Sequence, residues 1–395
     1  MVPEAALPVH GTDTDEGEFA LYIHWPFCVS KCPYCDFNSH VRATVDHDRW
    51  RAALLADLAH EAALSPGRRL RSIFFGGGTP SLMPPAIAAS LIDAATGHWQ
   101  ADDDLEITLE ANPSSVEAAN FNAFAAAGVN RVSLGLQALD DEALRFLGRA
   151  HDVAEGLAAL DIAQRAFSRV SFDLIYARPG QSEAAWQAEL ERALGFGTGH
   201  LSLYQLTIEP GTRFATLAAR GALSIPDDDL AADLFALTDA MTAAAGLPAY
   251  EVSNHARPGE ESRHNLVYWR YGDYAGIGPG AHGRRSRHAV MRHKKPENWL
   301  SSIDAHGHGI VEETPLAASD RAHEALLMGL RLSEGIDPAI FQARSGSALD
   351  ATVDAAARAR LARHGLVDPR TDRLVVTQAG RMVLNSVIAE LAGDR

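Results

Sequence analysis

All three cysteines of this 395-residue chain, Cys28, Cys32 and Cys35, fall within eight residues. An odd number of thiols so closely spaced, in a chain without a secretion signal, makes a poor disulfide framework and a good metal site. Structural zinc takes four ligands, and no further cysteine exists to complete an all-thiolate set. His24 and His40 could serve, but three thiolates with one position left open suit an iron–sulfur cluster better. The fold must therefore present one short loop to a metal centre.

Around that loop, short apolar runs alternate with longer Ala-rich amphipathic segments. The pattern predicts strands at 20–25, 71–75, 105–109, 131–136, 170–176 and 201–206. Helices are predicted at 46–64, 84–96, 115–127, 140–148 with 153–167, and 183–194. Strands buried on both faces and separated by crossover helices mean a parallel sheet, so the expected fold class is α/β, a partial (β/α)6 barrel, with a doubly wound open sheet as its competitor. In such barrels the C-terminal rim of the strands carries the site. Unusual residues stand at each strand end: the cysteines, then Gly76-Gly77-Gly78-Thr79-Pro80, Glu110 with Asn112 and Pro113, Gln137, Asp173, and Tyr204-Gln205.

Beyond residue 207 a helix is expected at 227–245 and an extended run at 247–252, followed by a segment rich in His, aromatics and Gly. Arg284, Arg285, Arg287, Arg292, Lys294 and Lys295 lie in a stretch without an acidic residue, although the chain has a net charge of −16. That stretch reads either as a solvated basic loop or as a contact for haem propionates, anionic lipid or an acidic partner. From residue 316 two helices (321–332 and 350–363), a turn, a strand and a last helix suggest a winged-helix-like domain. The expected organisation is a disordered leader at 1–17, the barrel at 18–255, a connecting segment at 256–314 and the winged-helix-like domain at 315–395. The overall negative charge argues against nucleic acid as a partner. No apolar stretch approaches the ~20 residues of a membrane span, and the acidic N-terminus points to a cytoplasmic protein.

The spacing C-x3-C-x2-C in Cys28-Val-Ser-Lys-Cys32-Pro-Tyr-Cys35, followed by Gly-Gly-Gly-Thr-Pro, closely resembles the radical S-adenosylmethionine (SAM) superfamily. The resemblance implies a 4Fe–4S cluster on the three thiolates, with its fourth iron free for SAM. The glycines would let backbone amides approach the methionyl end of SAM, which side chains would block. No Gly-Lys-Ser/Thr follows them, so they are not a Walker A loop. Within the superfamily the chain is similar to the oxygen-independent coproporphyrinogen III oxidases over about residues 19–390. That similarity implies Tyr22 and Tyr34 beside the cluster, and Gly77, Gly78, Thr79, Glu110, Gln137, Arg149, Asp173 and Gln205 as SAM-pocket positions. His282 is implied near a pocket wall formed by the Gly276–Gly283 run.

Two departures matter. Asp36-Phe37 follows Cys35 where the oxidases have a further cysteine, and only about 20 residues precede the first strand where they carry a longer extension. Both, with the run His264-Asn-Leu-Val-Tyr268-Trp269, resemble the sister group of HemW haem chaperones. That resemblance implies haem as a ligand, with His264 as a candidate axial ligand and Tyr268 and Trp269 as flat apolar surface. A hydrogen-bonded structural His264 is the alternative. The expected function is a radical SAM-type haem chaperone, without coproporphyrinogen oxidase activity, whose partners are haem-accepting proteins, respiratory ones included. A peripheral membrane contact and a homodimer stay open. The rivals are a coproporphyrinogen III oxidase and a non-catalytic electron-transfer or scaffold protein.

Overall fold

The computed structural model describes residues 19–370 and 372–393. The leader expected at 1–17 lies outside them. Six strands, β1 (Phe19–Trp25), β2 (Arg69–Gly77), β3 (Gln100–Ala111), β4 (Arg131–Gln137), β5 (Arg169–Tyr176) and β6 (His200–Gln205), pair in sequence order, all parallel. A doubly wound sheet would reverse its strand order at a switch point. This run does not reverse, so the α/β fold is a partial (β/α)6 barrel.

Alternation along the strands explains both faces. Leu21, Ile23, Ile73, Leu109, Val132 and Phe172 enter the main apolar core under the helices. The intervening positions Ser72, Glu106, Arg131, Ser133, Ser171 and His200 are equally buried but polar. They bond to one another across the concave side, as Ser133 does to Asp173 (3.2 Å) and Ser171 to His200 (2.7 Å). The helices over the core start where their caps dictate: α1 (His47–Leu64) after Asp46, α2 (Pro85–His98) on a proline, α3 (Val153–Ala166) in an Asp152/Glu155 capping box, and α4 (Glu183–Leu194) after Ser182. The helix predicted at 115–127 is instead two pieces, Ser115–Ala118 and Phe121–Ala126. Helix α5 (Asp228–Ala244) follows.

The sheet does not close. A short strand β7 (Asn254–Ala256) pairs antiparallel with β6. On the far side β8 (Asp273–Ile277) is parallel to β1, and β9 (His282–Arg285), β10 (His288–Arg292) and β11 (Ile310–Pro315) continue antiparallel, making eleven strands. Strands β8 to β11, in the segment expected as a connector, therefore extend the barrel sheet. Within that segment, helix α6 (Arg263–Trp269), capped by Ser262, enters the concave side: the His264 N–H donates to Glu106 (3.1 Å), and its Nδ1 meets the Ser72 hydroxyl (2.9 Å).

Half of the basic residues of this stretch are neither solvated nor outward-facing: Arg284, Arg285 and Arg292 are buried, against the expected contact with propionates, lipid or an acidic partner, while Arg287 is exposed. Arg292, 2% exposed, donates to Asp57 (2.7 Å) and Glu61 (2.7 Å) of α1. Arg285 donates to Glu61 (2.8 Å) and Glu313 (2.9 Å), and Arg284 lies 3.6 Å over the Tyr271 ring. Arg285 and Arg292 face α1, while Arg284, next to Arg285 on the strand, faces the opposite side against Tyr271; a buried charge must be paired. Lys294 and Lys295 are exposed.

Helix α7 (Pro296–His306) leads to β11, and α8 (Ala318–Gly329) opens the winged-helix-like C-terminal domain. Its own apolar core joins Leu326, Leu330, Phe341, Leu361, Leu374 and Leu391. The strand expected there is reduced to two bridges, Ile336 to Leu374 and Val367 to Val376. The helix predicted at 350–363 breaks at Val353, and Asp354 caps its second half. Among the described residues no helix is long and apolar enough to cross a membrane.

Candidate functional site

The cysteine loop leaves β1 at its C-terminal end. Cys28 closes a two-residue strand, Phe27–Cys28, paired with His40–Val41, and the Cys35 N–H donates to the Cys32 carbonyl (3.2 Å) in a tight turn. All three thiols are free and half-buried. Burial pushes the Cys28 and Cys35 thiols above their ordinary range, and the Thr79 hydroxyl acts against that shift at Cys28.

Among the described residues no three His, Cys, Asp or Glu side chains converge on a single ion. The zinc alternative through His24 also fails on its own hydrogen bonds. His24 Nε2 faces the Asn38 carbonyl (2.9 Å) and so carries the proton, which leaves Nδ1 to accept from the Tyr22 hydroxyl (2.9 Å). Burial holds this imidazole neutral, with its pKa pushed down to about 4. Three thiols that do not share one ion fit a multi-iron cluster, where each thiolate takes its own iron.

Two donors reach the sulfurs: Thr79 Oγ1 to Cys28 Sγ (3.3 Å) and the Arg149 guanidinium to Cys32 Sγ (3.4 Å). Asn112 ties them together, accepting from Arg149 on Oδ1 and donating from Nδ2 to Thr79 Oγ1 (3.2 Å). Asn112 was expected among the strand-end residues, though not among the SAM-pocket positions that the resemblance implies, and it stands two residues after Glu110, just past the end of β3. The triglycine has a packing role beyond the one expected. A Cβ on Gly77, at φ +113°, would sit 2.6 Å from the His24 ring, and one on Gly78 2.8 Å from the Phe27 carbonyl. Only glycine lets β2 end against the cysteine loop.

The strand ends open into a cavity of about 1020 Å³ shared with the C-terminal domain. Tyr34, Glu110, Gln137, Asp173 and Gln205 all line it. Tyr22, Gly77, Gly78, Thr79 and Arg149 do not; they sit behind that wall, around the cysteine loop. Burial, reinforced by Asp173, pushes the Glu110 carboxyl up to about 8, against the pull of the Gly77 N–H. Burial also pushes Asp173 up to about 6. Gln137 adopts φ +68°, a left-handed conformation costly for a side chain of its kind, and such strain tends to gather at functional sites. His282 is exposed on β9 and does not line the cavity.

The expected haem-facing trio lies elsewhere. His264 is 3% exposed inside the barrel, stacked on Phe74 (4.7 Å) and edge-on to Tyr268 (4.9 Å). Burial pushes its pKa down to about 3. Its Nδ1 meets the Ser72 hydroxyl and its Nε2 is buried without a hydrogen-bond partner, and the residue does not line the cavity, so neither nitrogen is presented to a porphyrin there. Trp269 packs under the Arg331 guanidinium, 4.7 Å from the ring centre.

Comparison with known proteins matches this architecture. Residues 22–193 match the Radical SAM superfamily and 316–383 the HemN C-terminal domain. The chain is 38% identical over 379 residues to the heme chaperone HemW of Mycobacterium tuberculosis, covering 95% of each. It belongs to the HemW family of radical SAM proteins. A second HemW, from Escherichia coli, is 37% identical over 378 residues, covering 93% of this chain and 97% of its own. The bovine relative "Radical S-adenosyl methionine domain-containing protein 1, mitochondrial" is 43% identical over 326 residues, 80% of this chain and 74% of its own. Coproporphyrinogen III oxidase (HemN) of Escherichia coli superposes with a TM-score of 0.78 at 24% identity, covering 94% of this chain and 89% of that one, and so shares the fold of this HemW-family member.

Proposed function

We propose that this HemW-family chain carries a 4Fe–4S cluster on Cys28, Cys32 and Cys35, binds SAM in the adjoining cavity, and binds haem for delivery to haem-dependent proteins in the cytoplasm. The observation that carries the reading is the unbroken path of hydrogen bonds from Cys32 through Arg149, Asn112 and Thr79 to Cys28. It aims a cation and a hydroxyl at two sulfurs of a loop beside a cavity large enough for a nucleoside. Thiolates that ligate iron are anionic, and donors of this kind stabilise them. When bound, the cluster supplies one-electron reducing chemistry. Glu110 and Asp173, when ionised, suit the ammonium and ribose groups of SAM, and Gln137 and Gln205 add amide contacts. Phe37, in place of a cysteine at the cavity wall, is 61% exposed.

Anaerobic reconstitution followed by iron and sulfide analysis, haem titration and a coproporphyrinogen assay on one sample tests the reading. The expected result is a full cluster complement, haem bound, and no multiple-turnover formation of protoporphyrinogen IX. Cys32→Ala should leave an iron-poor protein. A full complement of iron in that variant, or sustained porphyrinogen decarboxylation by the wild type, would overturn the proposal.

A further inference from the structure

The cavity at the barrel mouth has two unlike ends, and the reading above uses one of them. At the strand ends stand Glu110, Gln137 and Asp173; opposite them stand Val252, Arg331, Arg381, Met382 and Val383, mostly from the C-terminal domain. With about 1020 Å³ of space, the cavity stands at the upper end of the roughly 300–1,000 Å³ usual for ligand pockets.

Arg331 and Arg381 are the cations among the described lining residues, and the Nε of each is buried without a hydrogen-bond partner. Both are held in place by other contacts. Arg381 donates to the Glu251 main-chain carbonyl (2.8 Å), while Arg331 rests on Trp269 with the Glu251 carboxylate 3.7 Å away. Glu251 is a single buried carboxylate, and its Oε1 already accepts from the Ser253 N–H (2.9 Å) and the Asn254 amide. One carboxylate beneath two guanidinium groups leaves this end cationic. No cation stands in the rest of the described wall, which carries the carboxyls of Asp36, Glu110, Asp173, Glu209 and Asp228. A carboxylate entering the cavity therefore has one favourable end.

Beside the arginines, Tyr204, Met382 and Val383 present large apolar side chains that are 42%, 39% and 45% exposed. Large apolar side chains gathered in a concave site and left uncovered mark a ligand surface. A flat apolar molecule with carboxylates on one edge matches that floor, since guanidinium groups pair with carboxylates through paired N–H bonds.

We infer that haem binds in this chamber, its ring over Tyr204, Met382 and Val383 and its propionates on Arg331 and Arg381. The C-terminal domain is then the carboxylate-reading half of a chamber whose other half holds SAM. The inference rests on the haem-binding function proposed above and moves the haem site away from His264.

Haem and its dimethyl ester, which lacks the two carboxylates, are titrated into cluster-loaded wild type and into an Arg331→Gln/Arg381→Gln protein. Soret absorbance reads binding, and iron content and SAM affinity are measured on the same samples. Wild type should bind haem at least about tenfold more tightly than the ester, a margin of one decade in Kd. The double variant should lose that preference with iron and SAM binding unchanged. Equal affinity of wild type for haem and ester, or haem affinity unaltered in the variant, overturns the chamber assignment and leaves the haem-binding function standing. Wild type that binds neither molecule overturns the function and the assignment together. If the variant loses its cluster as well, the wild-type comparison of haem with ester decides alone.

Discussion

Arg149 shows how one side chain can set the character of the cysteine loop. Its guanidinium reaches Cys32 Sγ, Asn112 and the Gly135 carbonyl from a buried position. A charge-assisted bond of this kind is worth about 1.5–3 kcal/mol. Arg149→Met should therefore still take up iron under strictly anaerobic conditions and lose it faster in air, read as the decay of cluster absorbance. An unchanged decay rate would remove Arg149 from the site. His264 makes the opposite case, a residue whose sequence neighbourhood suggests a ligand and whose surroundings make it core. Its loss leaves a void against Phe74 and Tyr268 and an unpaired Ser72 hydroxyl. His264→Ala should cost about 2–4 kcal/mol in urea unfolding and leave the Soret spectrum of bound haem unchanged. A changed spectrum at full stability would return His264 to the haem site.

At the scale of elements, legibility followed length and period. The six parallel strands were readable as short apolar runs, and the helices α1 to α4 as the Ala-rich stretches of 12 to 18 residues between them. The antiparallel strands β9 (4 residues) and β10 (5 residues) are too short to show a period, so their arginines read as a basic patch. Charge counts carry no direction, and the inward turn onto α1 becomes visible only in the fold. The same limit hid the concave layer of Ser72, Glu106, Arg131 and His200, which looks in sequence like polar noise inside apolar runs; Asn112 was legible as a strand-end residue, but its link between Arg149 and Thr79 was not. The Gly-Gly-Gly-Thr-Pro element was legible as a motif, but its packing against His24 and Phe27 was not. The clamp between β10 and α1 gives an element-level test. Arg292→Met leaves Asp57 and Glu61 buried without their main partner, which costs about 3–5 kcal/mol when one member of a buried pair is removed. Because Asp57 also accepts from the Gly278 N–H (3.1 Å), and Gly278 packs on His24, cluster retention should fall too. A destabilisation below about 1 kcal/mol would show that the clamp is incidental.

Over the whole molecule, buried histidines and buried carboxylates set the pH profile by opposing each other. Burial holds His24 and His151 at about 4 and His264 at about 3, below the ordinary 6.5, so the folded chain keeps them neutral while the unfolded chain takes up protons. Their contribution to stability is present above pH 6.5 and is lost as pH falls toward 4 and below. Asp173, raised to about 6, and Glu110, raised to about 8, act with the reverse sign, because the folded chain retains protons that the unfolded chain releases. Their effect is a loss of stability as pH rises, complete for Asp173 near pH 6 and for Glu110 near pH 8. On the acid side these histidines, joined by His200, which burial also holds well below its ordinary range, outweigh the two carboxylates, and of these groups Glu110 alone acts above pH 6.5. Stability of the cluster-free protein should therefore peak near pH 6.5 and fall by at most about 2 kcal/mol toward pH 8, at about 1.4 kcal/mol per pH unit. Glu110→Gln should abolish that alkaline limb in urea unfolding and leave the acid limb in place. A cationic ligand placed against Glu110 reverses the sign there by favouring the ionised carboxylate, so SAM should stabilise the wild type more at pH 8 than at pH 6 and lose this pH dependence in the Glu110→Gln protein. An alkaline limb that survives the substitution would place its origin away from the cavity.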